Sequence, residues 1–244
     1  MPRALAIAWG LDKVPTRGPR RELTHDTIVA AAIDLADAGG LVAVTMAKVA
    51  ESLGFTTMSL YRYVSSKDEL LTLMLDAAAA HPGDLEVTTD HWRQGLRDVA
   101  QLYLDLYARH PWFLDVPLSL QGVLMPNTMR FADATYRAMR TLPVDAGFKQ
   151  SVLVSLSLFV RAFGQLRRDL GGPADPAISL AAVALLAQVV TPQRYPDLAP
   201  VFAAGGYTGD DPDARDTTDD FTLGLELFLD GLEAHVARGP RAGG

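Results

Sequence analysis

The stretch GFTTMSLYRYVSSKDEL, residues 54–70, gathers an unusual set of polar groups on a segment with helical character. With Leu60 at zero on a wheel turning about 100° per residue, Val64 falls at about 40° and Thr57 at about 60°, facing a core. Met58 and Arg62 fall on the opposite side, at about 160° and about 200°, with Ser59 and Tyr61 on the flanks. The outward face therefore offers methyl, hydroxyl, phenol and guanidinium groups. Such a face suits a major groove, where base edges and thymine methyls lie beside phosphates. Arg62 is placed for a bidentate contact to guanine and Met58 for a thymine methyl. Thr57, Ser59, Tyr61 and Lys67 are suited to phosphates. The plainer alternative is a helical hairpin with a solvated polar face. Catalytic constellations are missing: G-x-S-x-G, a P-loop, H-E-x-x-H and G-x-G-x-x-G do not occur. An enzyme is not expected.

The elements that position this face follow from spacing. Ala50, Gly54 and Leu60 stand four and six residues apart, with Val49, Leu53 and Phe55 as the buried positions between them. Two helices crossing steeply need a small side chain where they touch, which Ala50 supplies. The turn needs a residue tolerant of positive φ, which Gly54 supplies, and Leu60 fastens the second helix to the first. This is helix-turn-helix spacing, with helices over about 45–53 and 57–64. An earlier helix begins at Thr24 as N-cap, carries Ile28, Ala31, Ala32, Leu35 and Ala36 on one face, and stops at Gly39-Gly40. Ser66 and Glu69 form a capping-box pattern that opens a further helix toward Ala80.

TMAKVAESLGFTTMSLYRYVSSKDELL resembles the DNA-binding domain of the tetracycline-repressor (TetR) family of bacterial transcription regulators. The residues that carry the resemblance are Thr45, Met46, Ala50, Leu53 and Gly54, then Leu60, Tyr61, Tyr63 and Val64, then Lys67. Tyr63 stands where histidine is commoner. The resemblance covers residues 22–80 and implies DNA contacts at Thr57, Met58, Ser59, Tyr61, Arg62, Tyr63 and Lys67. It also implies a homodimer on a palindromic operator in double-stranded DNA, and a small-molecule effector in the C-terminal domain whose binding releases the operator.

Composition agrees with this reading. The chain has 244 residues and a net charge of −7, which alone would argue against nucleic acid. Distribution matters more: residues 1–81 hold eight Lys and Arg against nine Asp and Glu, so the surplus acid lies beyond them. KVPTRGPRR, residues 13–21, carries four positive charges and no acid. Residues 1–22, with Pro2, Pro15, Gly18 and Pro19, read as a flexible basic arm in which Arg17, Arg20 and Arg21 are suited to the DNA backbone or a narrow minor groove. Cysteine is absent, which excludes disulfides and thiolate metal sites and suits the cytoplasm. No apolar run approaches the roughly 18 residues that would span a bilayer, so no membrane partner is expected.

HPGDLEVTTD, residues 81–90, reads as a boundary between a head over 23–81 and a second domain over 82–244. Beyond it only helical patterns recur, at about 90–109, 124–141, 146–170, 177–190 and 219–237. The fold class is all-α: a three-helix head with a helix-turn-helix, then a helical ligand-binding and dimerisation domain. The last helix carries a seam of Phe221, Leu225, Phe228 and Leu232, with Gly224 and Gly231 on a neighbouring strip, and is expected at the dimer interface. Trp92, Tyr103, Trp112, Phe113, Met125, Phe131, Tyr136, Phe159 and Phe163 supply large apolar surface for core and pocket. Arg161, a charge in an apolar helix, is a pocket or interface candidate because burial would demand a partner. His81 and His110 invite a metal reading; the expectation is no metal and no cofactor. The acidic segment GDDPDARDTTDD lacks the glycine and terminal glutamate of an EF-hand loop. Two other classes remain open: a DNA-binding regulator without an effector, and a small-molecule binder that has lost operator recognition.

Overall fold

The computed structural model describes residues 2–11, 23–81, 83–170, 180–204 and 217–238. These form helices α1 (Arg3–Ala8), α2 (His25–Gly39), α3 (Met46–Leu53), α4 (Thr57–Leu60), α5 (Lys67–Ala78) and α6 (Trp92–Arg109). There follow α7 (Leu120–Val123), α8 (Pro126–Ala138), α9 (Ala146–Leu170), α10 (Leu180–Val189), α11 (Leu198–Ala203) and α12 (Thr217–Arg238). Short 3₁₀ turns occupy Leu41–Ala43 and Pro111–Asp115. No strand occurs among the described residues, and the architecture is all-α as expected.

One compact unit runs through Gln165 and a second from Leu166 to Arg238. In the first, α2 packs on α3 and α5, and α4 packs on α3. Ile28, Val49, Ala50, Leu60, Val64, Leu70 and Met74 are almost fully withdrawn from solvent. Beyond the head, α6 packs along α8, while α5 also touches α7 and α8. Because α5 packs this way, the boundary expected at residue 82 lies inside the first unit.

The N-terminal arm needs correction. Residues 3–8 form α1, which packs on α5 and buries Ala4 and Leu5. Arg3 Nη1 donates to Glu69 at 3.0 Å, and the Trp9 indole N–H donates to the Leu124 carbonyl at 3.0 Å. Arg17, Arg20 and Arg21 lie outside the described residues. The capping box at Ser66 is half realised: its hydroxyl accepts from the Glu69 N–H at 3.1 Å. The Glu69 carboxylate instead takes the Ser65 hydroxyl and Arg3, since that cation outcompetes a backbone N–H for the carboxylate. A reciprocal cap occurs at Thr24, whose N–H donates to the Thr27 hydroxyl at 3.0 Å while its own hydroxyl accepts from the Thr27 N–H at 3.1 Å. The single helix expected over 124–141 begins at Pro126, with α7 separate before it. Proline has no N–H for an internal helical bond and fits the first helical position.

In the second unit, Phe221, Leu225, Leu229 and Leu232 of α12 are buried, and Ala199 of α11 with them. Phe228 and Gly224 are half-buried, and a Cβ added at Gly231 would meet open space. Three residues expected at the dimer seam, Phe221, Leu225 and Leu232, are thus covered within one chain. The outward apolar residues are Leu223 and Leu227, 45% and 63% exposed.

Where α6 crosses α8, a Cβ at Gly95 would stand 2.8 Å from the Ala138 Cβ and closer still to the Thr88 carbonyl. Alanine normally gains about 1 kcal/mol over glycine inside a helix. Here overpacking reverses the sign, and Gly95→Ala should destabilise the chain by about 1–3 kcal/mol in urea denaturation.

Candidate functional site

Thr45 caps α3, its hydroxyl accepting from the Lys48 N–H at 3.2 Å, and Gly54 ends it in the left-handed region at φ 77°. Thr56 then caps α4, accepting from the Ser59 N–H at 3.3 Å. Leu60 and Val64 anchor this element at 0% exposure, while Met58 is 74% exposed. Tyr61, Arg62 and Lys67 are also exposed, so these four expected DNA-reading residues are open to solvent. The other three are half-buried. Ser59 shares a hydroxyl–hydroxyl bond of 2.9 Å with Thr56, and Thr57 turns partly toward the core. Tyr63 is drawn to α2, where its carbonyl accepts from His25 Nε2 at 2.9 Å and its ring meets the imidazole edge-on. α4 is shorter than expected. After Leu60 the chain tightens into turns, with the Tyr63 N–H on the Leu60 carbonyl at 2.8 Å.

Two carboxylates join this head to the helices after it. Asp37 on α2 accepts the Trp112 indole N–H at 2.6 Å and His110 Nδ1–H at 2.9 Å. Both donors belong to the ARHPW segment, so His110 is a structural clasp. Asp76 on α5 accepts from the Asn127 N–H at 2.8 Å and its side-chain amide at 3.1 Å, capping α8. Burial holds the Asp76 carboxyl above its ordinary range, the bonds from Asn127 offsetting only part of that push. Arg130 and Arg137 of α8 fasten the connecting segment by donating to the His81, Gly83 and Leu85 carbonyls. Among the described residues, no three His, Asp or Glu converge as a metal site.

Behind these joints lies a cavity of about 240 Å³. Three of the nine residues expected at a pocket, Tyr103, Phe113 and Phe131, line it together with Arg161. The other six expected residues do not. Trp112 is buried with its indole on Asp37, and Met125 is buried in the core cluster shared with the head. Trp92 sits at the start of α6 beside the Arg93 guanidinium. Phe159 and Phe163 pair with each other, ring centres 4.8 Å apart. Tyr136 acts one step removed, donating its hydroxyl to Gln150, which does line the cavity. Sequence reasoning missed Tyr107, Gln150 and Ser157. The signal existed: Tyr107 follows Tyr103 by one helical turn, and Gln150, Ser157 and Arg161 are polar residues on one stripe of an apolar helix.

An exposed short helix held by Leu60 and Val64, set on α3 through the turn at Gly54, is helix-turn-helix geometry, and it stands ahead of helices that enclose an aromatic-lined cavity. Residues 28–74 match the model for bacterial regulatory proteins of the tetR family, and residues 86–236 match the tetracyclin repressor-like C-terminal domain. The chain belongs to the TetR family. It is similar to the HTH-type transcriptional repressor DrrR1 of Streptomyces coeruleorubidus, with 36% identity over 97% of this chain and 87% of that one. It is also 27% identical to the HTH-type transcriptional repressor Rv1353c of Mycobacterium tuberculosis, over 93% and 87% of the two chains. Among solved structures, ActR of Streptomyces coelicolor in complex with (S)-DNPA shares the fold at a TM-score of 0.70, with 23% identity over 88% of this chain and 99% of ActR. BioQ bound to its double-stranded DNA operator aligns at a TM-score of 0.53, with 22% identity over 61% and 89%. DrrR1 and Rv1353c are named as transcriptional repressors rather than enzymes, and no described helix is long and apolar enough to cross a membrane.

The Asp37 clasp is open to a direct test. Asp37→Ala leaves the buried Trp112 indole N–H without an acceptor, and should cost about 1–3 kcal/mol in urea denaturation.

Proposed function

We propose that the chain is a dimeric, ligand-responsive repressor in the cytoplasm that leaves its palindromic operator when a small molecule fills the cavity. The observation that carries this reading is the connection from cavity to head. Arg161 Nη2 donates to the Leu114 and Val116 carbonyls at 2.7 and 2.8 Å. Those carbonyls flank the same turn whose Trp112 and His110 are held by Asp37. Thr128, also on the cavity wall, sits in the first turn of α8, which Asp76 caps. A ligand pressing on Arg161 acts on the Asp37 joint and one pressing on Thr128 on the Asp76 joint, and an effector need only prefer the arrangement in which the heads are wrongly spaced.

Relatives support the same direction. DrrR1 is named a transcriptional repressor, ActR is solved with (S)-DNPA and with actinorhodin, and BioQ with operator DNA. On the DNA, Arg62 and Met58 read base edges, Tyr61 and Lys67 hold phosphates, and Thr57, Ser59 and Tyr63 position them. Arg17, Arg20 and Arg21 bind the backbone as well. The homodimer forms through the outward strip of α12 around Leu223, Leu227 and Gly231, with Gly224 and Phe228 at its edge.

Selection of bound sequences from random duplex DNA tests the reading function. A two-fold-symmetric site is expected; an asymmetric site or no enrichment contradicts a dimeric operator reader. On the selected site, Arg62→Ala should cost about 1–3 kcal/mol and relax preference at one base pair. Uniform weakening on every sequence would make Arg62 a phosphate ligand instead. Replacing Arg17, Arg20 and Arg21 together by Gln keeps α1 and should flatten the salt dependence by about 0.9 in log–log slope for each phosphate that is no longer neutralised. An unchanged slope removes the basic segment from the interface.

A further inference from the structure

The cavity is not chemically neutral. Tyr103, Tyr107, Phe113 and Phe131 form aromatic walls, Leu153 and Leu158 aliphatic ones, and among the described residues that line it none is acidic. Arg161 brings a full positive charge to that wall. Its described partners are two carbonyls and the Tyr107 hydroxyl, all uncharged. The phenols do not supply a counter-charge: burial pushes both Tyr103 and Tyr107 up, so they stay protonated at neutral pH. Among the described residues, no carboxylate pairs with Arg161. A guanidinium has five N–H donors, and the two carbonyls use only Nη2, so donors remain for another acceptor. Arg161 also lines a second cavity of about 60 Å³ that shares Phe113, Leu118, Val123 and Thr128 with the first. It thus stands where the two spaces meet.

Arg161 is half-buried; a cation partly withdrawn from water without a counter-ion carries a desolvation cost, and an anion bound beside it recovers that cost. An apolar ligand without charge would leave it unrecovered. A volume of about 240 Å³ is below the roughly 300–1,000 Å³ of common ligand sites, which favours a frame of two or three rings. We propose that the effector is an aromatic anion, with its rings among Tyr103, Tyr107, Phe113 and Phe131 and its carboxylate, sulfonate or phenolate against Arg161. This rests on the cavity being the effector site.

Two fluorescent probes with one ring frame separate the effects of charge and shape: 1-anilinonaphthalene-8-sulfonate carries the anion, and N-phenyl-1-naphthylamine lacks it. Titrated into the full chain, the sulfonate should bind at least tenfold tighter than the neutral probe. Arg161→Gln and Arg161→Lys both lose the guanidinium fork, but only lysine keeps the charge. The preference should survive in Arg161→Lys and vanish in Arg161→Gln, with the neutral probe's affinity little changed in either. Ala132→Trp fills the cavity and should abolish both probes. Equal affinity for the two probes in the natural chain, or a preference unchanged in Arg161→Gln, overturns the anion proposal while leaving the cavity as a ligand site. Failure of both probes to bind, or binding undiminished in Ala132→Trp, overturns the cavity reading itself and this proposal with it.

Discussion

A buried indole held by a carboxylate ties the DNA-reading head to the helices that follow it. Asp37 lies on α2, the central helix of the head, and accepts N–H groups from both His110 and Trp112. Trp112 is buried, so its indole has no water to turn to and the geometry is enforced rather than optional. A charged acceptor roughly doubles the strength of each bond relative to a neutral one. Asp76 repeats the device on the other side, holding the first turn of α8 from the last helix of the head. The backbone of 110–116 and the start of α8 are thereby fixed to the head at two points. Each is bordered by residues that line the cavity.

On the proposed reading, this arrangement lets a ligand site and a DNA-reading face lie in different parts of the chain and still be coupled. The reading face has little of its own to bury: α4 rests on Leu60 and Val64 and otherwise faces solvent. Its orientation is inherited from α3 through Ala50 and Gly54, and α3 is set by α2. Whatever shifts α2 shifts the face. On the proposed reading, occupation of the cavity alters the pull of Arg161 on the Leu114 and Val116 carbonyls, and the Asp37 clasp passes that change to α2. The coupling requires two arrangements of the packed unit that the ligand distinguishes, with differences of about 1–3 kcal/mol being typical.

The sequence made the head legible because its determinants are local. Ala50, Gly54 and Leu60 act within about ten residues, and the caps at Thr24, Thr45 and Ser66 act within one turn. What escaped was non-local. RALAIA has no period of its own and is a helix because α5 covers Ala4 and Leu5 and Glu69 holds Arg3, 66 positions away. Aromatic content showed that large side chains fill the second domain without showing which face a cavity. Trp112 is drawn off by Asp37, 75 residues earlier, and Met125 by the head's own core. The polar stripe Gln150, Ser157 and Arg161 was the better guide, since polar groups in an apolar helix must answer to something. On α12 the seam of Phe221, Leu225 and Leu232 is buried within the chain while Leu223 and Leu227 are open, because periodicity gives a helix its stripe but not the partner that covers it.

The most direct test of the coupling is operator affinity, measured with and without a cavity-bound compound, in the natural chain and in Trp112→Phe. Phenylalanine keeps an aromatic ring in the core and removes the indole N–H that reaches Asp37. The account predicts that the compound binds both proteins alike, weakens operator binding of the natural chain at least fivefold, and weakens that of Trp112→Phe distinctly less. An equal loss in the two proteins would contradict transmission through Asp37. No loss in the natural chain would contradict a ligand-controlled repressor altogether.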